Sequence, residues 1–389
     1  MIGRNIIILG SVLLLGLLGL EGCGSPSSDS MEMFQTESET EKEEELIYKS
    51  SLELQFAENF NVDYYEGGYA LLSTIDGTKI LTVPEDAAVP ETLEDDVIVV
   101  QHPVKNLYLV ASGVMDMFCQ LDALDAIRLS GQKEEGWYVE EARTAMEQGD
   151  ILYAGKYSKP DYELIVSEDC SLAIENRMIT HAPDVVEKLE SFGIPVMIDY
   201  STYENHPLGR VEWIRFFGAL LGKDAEAESI FSEQVQLLEG VQADEKTNQT
   251  VGFFFITSNG MVQVRQPSDY VPKMIELAGG TYIFETLGDE DSARSTLNIQ
   301  MEDFYETAKD ADYLIYNSSI DGGVQTMEEL LDKSSLLADF KAVKEGNVWC
   351  TTNDMYQQSM AIGPLTEDIH RMLQGNGAEG EMRYLFQVK

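Results

Sequence analysis

The chain has 389 residues, with 69 acidic against 26 basic side chains, a formal net charge of −43 and an isoelectric point near 4.2. So acidic a surface repels nucleic acid, whose binding needs basic groups to displace counterions. It suits solubility outside a cell, and any attraction for an anion has to be built locally.

Chain order begins with an export signature. Arg4 precedes an apolar run from Ile6 to Leu20, 15 residues interrupted only by Gly and Ser. That is short for a hydrocarbon core of about 30 Å and fits the apolar region of a signal peptide. The run ends in Leu20-Glu21-Gly22-Cys23, which resembles the lipobox of bacterial lipoproteins. The resemblance implies that residues 1–22 are removed, and that lipid on Cys23 anchors the chain on the outer face of a bacterial cell membrane. Residues 23–46 are rich in Ser and Glu and poor in large apolar side chains, so they predict a solvated acidic tether. About 345 residues follow, enough for two lobes of ordinary domain size.

From Leu52 to Pro84 the pattern is alternating and aromatic, with turn signals at Glu66-Gly67-Gly68 and Asp76-Gly77. This predicts an antiparallel hairpin or meander. From about Val97 short apolar strands alternate with helical stretches, as in parallel α/β layers. First-lobe strands are expected at Leu107–Ala111, Leu172–Ile174 and Val196–Ile198, with helices at Val114–Leu124, Glu163–Glu168 and Pro183–Phe192. Pro207 then opens a long segment whose apolar stripe resumes after Gly222, predicting a helix of about 30 residues and about 45 Å. Beyond it strands are expected at Val251–Ile256, Thr281–Phe284, Tyr313–Tyr316 and Val348–Thr351. Helices are expected at Tyr270–Leu277, Met301–Ala308, Met327–Val343 and Gln357–Leu373. The expected architecture is α/β: two lobes with mostly parallel sheets joined by one long backbone helix, plus an N-terminal antiparallel hairpin. The boundaries are 47–205 for the N-terminal lobe, 206–240 for the linking helix and 247–389 for the C-terminal lobe.

An internal repeat links the lobes. PDYELIVSEDCSLAIEN and IQMEDFYETAKDADYLIYN each open a short helix with an acidic residue and end an apolar strand in Asn. Glu163 precedes Asn176 by 13 residues, and Glu302 precedes Asn317 by 15.

The order of NLYLVASGVMDMFCQLDAL, PDYELI, CSLAIE, GIPVMIDYSTYE, HPLGRVEWIRFFGALLG and YVPKMIELAGG resembles a known family. It is similar to the class III solute-binding proteins of ABC importers, the vitamin B12-binding or ferrichrome-binding type, over roughly residues 98 to 375. The resemblance implies a ligand held between two lobes and delivered to an ABC permease with its ATPase subunits. It implies no permanently bound cofactor and a monomeric protein. The cargo it implies is a ferric chelate (siderophore) or haem, with a corrinoid as the alternative. It also implies that Glu163 and Glu302 are docking carboxylates, one on each lobe, facing arginines of the permease subunits.

The residues themselves are read as follows. Trp137, Tyr138, Tyr157, Tyr203 and Tyr356 fall in expected loops or helix starts, where a stiff aromatic face suits a macrocycle or chelate. Trp137 is expected near the mouth of the cleft. Arg177 and Arg265 follow strands and are candidates for an anionic ligand, with Arg210 and Arg294 less well placed. For each of these residues the plain alternative is a loop cover or a solvated charge. His102, His181, His206 and His370 show no metal-ligand spacing, so direct binding of a bare ion is the weaker reading. Cys119, Cys170 and Cys350 have no CxxC spacing. Buried thiols are favoured, and one disulfide stays open. The motifs G-x-S-x-G, G-x-x-x-x-G-K-[ST] and G-x-G-x-x-G are missing, so the chain is read as no enzyme. A lipid-anchored surface hydrolase is the rival class.

Overall fold

The computed structural model describes residues 46–242, 246–288, 295–375 and 381–389. Cys23, the signal peptide, nearly all of the tether and Arg294 lie outside the described residues. Among the described residues no helix is long and apolar enough to cross a membrane.

The N-terminal segment is a five-stranded sheet of β1 (Tyr48–Ser51), β2 (Phe60–Tyr65), β3 (Ala70–Thr74), β4 (Lys79–Val83) and β5 (Val97–Gln101), paired in that order. The first four form the expected antiparallel meander, and β5 joins β4 in parallel. Val97 therefore closes this sheet; it does not begin the α/β layers, as its apolar run had suggested.

The first lobe contains β6 (Leu107–Leu109), α1 (Val114–Gln120), β7 (Ile127–Ser130), α2 (Glu140–Gln148) and β8 (Leu152–Tyr153). A small antiparallel ladder of β9 (Gly155–Lys156) and β10 (Lys159–Pro160) follows. Then come α3 (Tyr162–Ser167), β11 (Leu172–Asn176), α4 (Pro183–Ser191) and β12 (Val196–Asp199). The main sheet has the order β12-β11-β6-β7-β8, every pair parallel. Such a sheet is covered on both faces, which is why Leu172–Ile174 and Val196–Ile198 read as continuous apolar runs.

The joining segment departs from expectation. It is two helices, α5 (Pro207–Leu221) and α6 (Asp224–Gln242), with Gly222 between them at a φ of 69°. Gly222 ends α5 in the left-handed conformation, and the Lys223 N–H closes back on Gly218 O at 2.7 Å. A Cβ on Gly218 would collide with that of Ala227, so the two helices meet across this glycine. At 1.5 Å per residue they run about 22 and 28 Å, a bent pair in place of a 45 Å rod. The apolar stripe concealed the bend, because both helices keep an apolar side to the core.

α5 is buried almost all round, including Trp213, Phe216 and Phe217. Each such side chain contributes roughly 2 kcal/mol of burial. The N-terminal sheet supplies part of the cover: Phe60 packs on Trp213 and Phe216 at ring distances of 4.9 and 5.5 Å. Two buried carboxylates fix the approach to it. Glu212 accepts the N–H groups of Gln55, Phe56 and Ala57 and pairs with Arg215 at 2.8 Å. Glu204 accepts those of Glu58 and Asn59, each at 3.0 Å.

The second lobe contains β13 (Thr250–Ile256), β14 (Val262–Arg265), α7 (Tyr270–Leu277), β15 (Thr281–Tyr282), β16 (Thr296–Ile299), α8 (Met301–Ala308) and β17 (Tyr313–Tyr316). It ends with α9 (Met327–Lys333), α10 (Lys341–Glu345), β18 (Val348–Thr351), α11 (Ile362–Leu373) and β19 (Leu385–Gln387). The order β16-β14-β13-β17-β18-β19 has a parallel centre and antiparallel edges, with β15 also on β13. The expected helix Met327–Val343 is broken at Ser334, whose extended backbone separates α9 from a 3-10 turn and α10. Cys119, Cys170 and Cys350 are free thiols.

Candidate functional site

A cleft of about 910 Å³ lies where the C-terminal ends of the strands from both lobes face each other. Parallel sheets expose loop backbone and side chains at that end, so ligands collect there. From the first lobe come Ser112 after β6, Asn176 and Arg177 at the end of β11, and Asp199 and Tyr203 at and beyond β12. The second lobe contributes Arg265, Asp269 and Tyr270 around the β14–α7 turn, with Tyr356 beyond β18. Arg210, on the first turn of α5, sits between them.

Three guanidiniums define the electrostatics. Arg177 is exposed and lies over the Tyr203 ring at 4.6 Å. Arg210 stacks on Tyr270 of the other lobe at 3.8 Å, and its Nε donates to Glu204 O at 2.9 Å and its Nη2 to Thr202 O. Burial lowers its pKa, but an arginine starts so high that it stays charged. Arg265 is buried; its Nη2 donates to the Tyr356 hydroxyl at 2.9 Å, and Asp269 lies 3.5 Å from its Nε. Against these stand the carboxylates of Asp269 and Asp199. Asp199 accepts from the Ser201 N–H and hydroxyl, and burial pushes its carboxyl up to about 6. Three cations against two anions leave the cleft positive in a chain of net charge −43.

The cleft gathers Arg177, Tyr203, Arg265 and Tyr356 from the residues singled out in the sequence. Three others are placed elsewhere. Trp137 is buried in the first lobe, its Nε1 donating to Ser130 Oγ at 3.2 Å, so the expectation that it sits at the mouth is corrected. Tyr138 is exposed, its N–H given to Gln357, and Tyr157 packs on the first-lobe core. Neither lines the cleft. Arg210, Asp199 and Tyr270 were underrated or missed. Asn176 was visible in the sequence as the end of the repeated unit, but its role was not.

The four histidines do other work. His206 caps α5 through the Leu208 N–H and stacks on Phe56 at 4.6 Å. His102 Nε2 lies 3.0 Å from Leu220 O, and His370 Nδ1 lies 3.0 Å from Ala278 O. His181 is exposed at the end of a 3-10 turn. Among the described residues no group of three or more His, Cys, Asp or Glu side chains is placed to hold a metal ion.

The family described as periplasmic binding protein matches residues 119–355, more than half of the chain. The chain belongs to the periplasmic binding protein family. It is a solute-binding protein and not an enzyme, and members of this family work outside the cytoplasm with ABC transporter permeases. Two uncharacterized lipoproteins of Methanocaldococcus jannaschii are similar along much of their length. One is 27% identical over 99% of this chain and 100% of the relative, the other 26% over 86% and 84%. Among solved structures, the petrobactin-binding protein YclQ of Bacillus subtilis superposes with a TM-score of 0.58 at 12% identity, covering 79% of this chain and 99% of that one. A periplasmic haem-binding protein of Pseudomonas aeruginosa gives 0.55 at 13% identity, covering 73% and 98%. At such identity the likeness carries the fold.

The two lobes of this binding protein are also tied directly. Gln357 is buried and spends both ends of its amide on first-lobe backbone: Oε1 accepts the Tyr138 N–H and Nε2 donates to Gly136 O, each at 2.7 Å. Beside it the Met360 N–H donates to Asp116 Oδ2 at 2.8 Å, and Ser359 Oγ to Gly113 O at 2.7 Å. Gln357→Ala is expected to loosen the lobes while costing about 1–2 kcal/mol of stability. Spin labels at the exposed Glu190 and Glu306 should report a broader interlobe distance distribution in the variant. An unchanged distribution would remove Gln357 from the tie.

Proposed function

We propose that the cleft captures an anionic metal complex, a ferric chelate or haem, and that the protein delivers it to an ABC permease from a lipid anchor on Cys23. The carrying observation is the convergence of Arg177, Arg210 and Arg265 on one cleft of an otherwise strongly acidic chain. Guanidinium forks match carboxylate and other oxyanion groups, and the rings of Tyr203, Tyr270 and Tyr356 offer flat apolar contact beside them. A complex whose metal is already coordinated needs no ligand from the protein. A neutral corrinoid gains less from this charge, which makes it the second choice. Protein purified from its native host should carry a ferric or haem complex by mass and absorbance spectra. A co-purifying corrinoid would favour the alternative.

Permease docking is assigned to Glu163 and Glu302. Each is exposed in the first turn of a short helix, α3 and α8, that leads into a strand of its lobe's sheet. Acidic residues favour helix N-termini anyway, and their matched placement in the two lobes is what supports docking. Charge pairs steer encounter and fix register, and stripping one partner from a desolvated interfacial pair costs about 2–5 kcal/mol. Glu163→Arg with Glu302→Arg is therefore expected to abolish uptake and permease binding while solute affinity is kept. Normal uptake by that double variant, at normal surface abundance, would remove the assignment.

A further inference from the structure

We infer that the Tyr356 hydroxyl is a committed hydrogen-bond donor, so that the ligand atom it meets is an acceptor oxygen. This rests on the binding function proposed above and narrows its ligand. A phenolic oxygen has one proton to give and room for two incoming hydrogen bonds. Here both incoming places are filled. Arg265 Nη2 donates at 2.9 Å, and Asn317 Nδ2 donates at 2.7 Å. Arginine has only protons to offer. The amide of Asn317 cannot be turned round, because its Oδ1 accepts the Ser319 N–H at 3.2 Å. Both donors are held firmly. Asn317 is 3% exposed and Arg265 6%, the Asn317 N–H is bonded to Phe254 O at 2.8 Å, and Asp269 stands beside the guanidinium.

The hydroxyl proton therefore has no inward acceptor among the described residues, and Tyr356 lines the cleft. Arg177 and Arg210, on the first-lobe side, are also donors only. A carboxylate, catecholate or carbonyl oxygen satisfies this arrangement. An amine or amide N–H placed there would meet a hydroxyl with no lone pair left and would stay unpaired. Tyr356 thereby sets the polarity of the ligand face that is recognised, beyond what net charge selects.

The test is a double-variant cycle read by calorimetry, with ferric citrate and haemin as probes. Tyr356→Phe should weaken the better-bound probe about 10- to 100-fold, the effect of one hydrogen bond to a charged acceptor. Asn317→Asp places an acceptor where the donor stood and turns the hydroxyl proton inward, so it should cause a loss of the same order. Combining the two should add little to Tyr356→Phe alone, because both act through one proton. Full affinity in Tyr356→Phe, or losses that simply multiply, would overturn the assignment. A second readout needs neither ligand nor the buried substitution. The tyrosine Raman doublet, taken as wild type minus Tyr356→Phe in ligand-free protein, should show a hydroxyl that accepts hydrogen bonds while its proton goes to cleft water, and the signature of a donor that accepts nothing would overturn the inference. No wild-type binding of either probe, together with a doublet that shows the hydroxyl accepting, would refute the functional reading and its ligand assignment while leaving the hydroxyl geometry standing.

Discussion

Arg210→Glu is expected to lower affinity for an anionic chelate more than 100-fold without unfolding the protein. Arg210 is held between the lobes by two first-lobe carbonyls and the Tyr270 ring, with no carboxylate within ion-pair distance among the described residues. Its charge is therefore available to the cleft, whereas Arg265 is partly matched by Asp269. Reversal puts a carboxylate near Asp199 and changes the cleft charge by two units, and losing one desolvated charged partner costs about 2–5 kcal/mol. Arg210→Lys keeps the charge but loses the planar fork and much of the stacking, so about a tenfold loss is expected. Titration with haemin at two salt concentrations, with circular dichroism as the folding control, separates the cases. Equal affinity in the wild type and Arg210→Glu would mean that the ligand does not use this charge.

Glu175→Leu is expected to stabilise the protein, and more so as the pH rises. Glu175 lies on β11 with its side chain fully buried, and neither carboxyl oxygen has a hydrogen-bond partner among the described residues. The neighbouring Tyr108 hydroxyl donates instead to Gly155 O at 2.7 Å. Burial pushes the Glu175 carboxyl up to about 8, from an ordinary value of 4.5. Between those two pH values the native state holds a proton that the unfolded chain has released, so stability falls as pH rises from 4.5 to about 8. At pH 7 this costs about 3 kcal/mol, since a tenfold change in proton affinity is worth about 1.4 kcal/mol. Asp116 and Asp199, each pushed up to about 6 chiefly by burial, act in the same direction between 3.8 and 6. Urea unfolding at pH 5, 7 and 8 should show wild-type stability declining across the series. The stability gained by Glu175→Leu over the wild type should be near zero at the acid end and a few kcal/mol at pH 8. A gain that is flat with pH would mean that Glu175 is solvated or paired.

The sequence showed the elements well where apolar runs met clear punctuation. Tyr313–Tyr316, Val348–Thr351, Tyr270–Leu277 and Met301–Ala308 have the bounds their patterns suggested. Ile127–Ser130 and Val262–Arg265 were overlooked, because four residues containing an arginine or glutamine do not show a period. The bend at Gly222 was marked only by the Gly-Lys-Asp break in a stripe that resumes on the far side. Among the cleft residues, strand ends were readable: Arg177 and Tyr203 follow apolar strands directly. Trp137 misled because a Trp-Tyr pair after glycine looks like a surface loop. The Ser130 hydroxyl seven residues earlier bonds its indole, and the first-lobe core that encloses the ring is assembled from several elements along the chain. Arg210 was hidden for a related reason. Its position on α5 gave no hint that the helix start lies between two lobes, and that placement is a tertiary fact.

Isothermal titration of the purified protein, residues 46–389, with four probes of different charge tests the central claim most directly. The claim predicts stoichiometric binding of haemin or anionic ferric citrate, weakened by salt and by Arg210→Glu, with little binding of cationic ferrioxamine B or neutral cyanocobalamin. Tight binding of cyanocobalamin or ferrioxamine B, indifferent to salt and to Arg210, would contradict it.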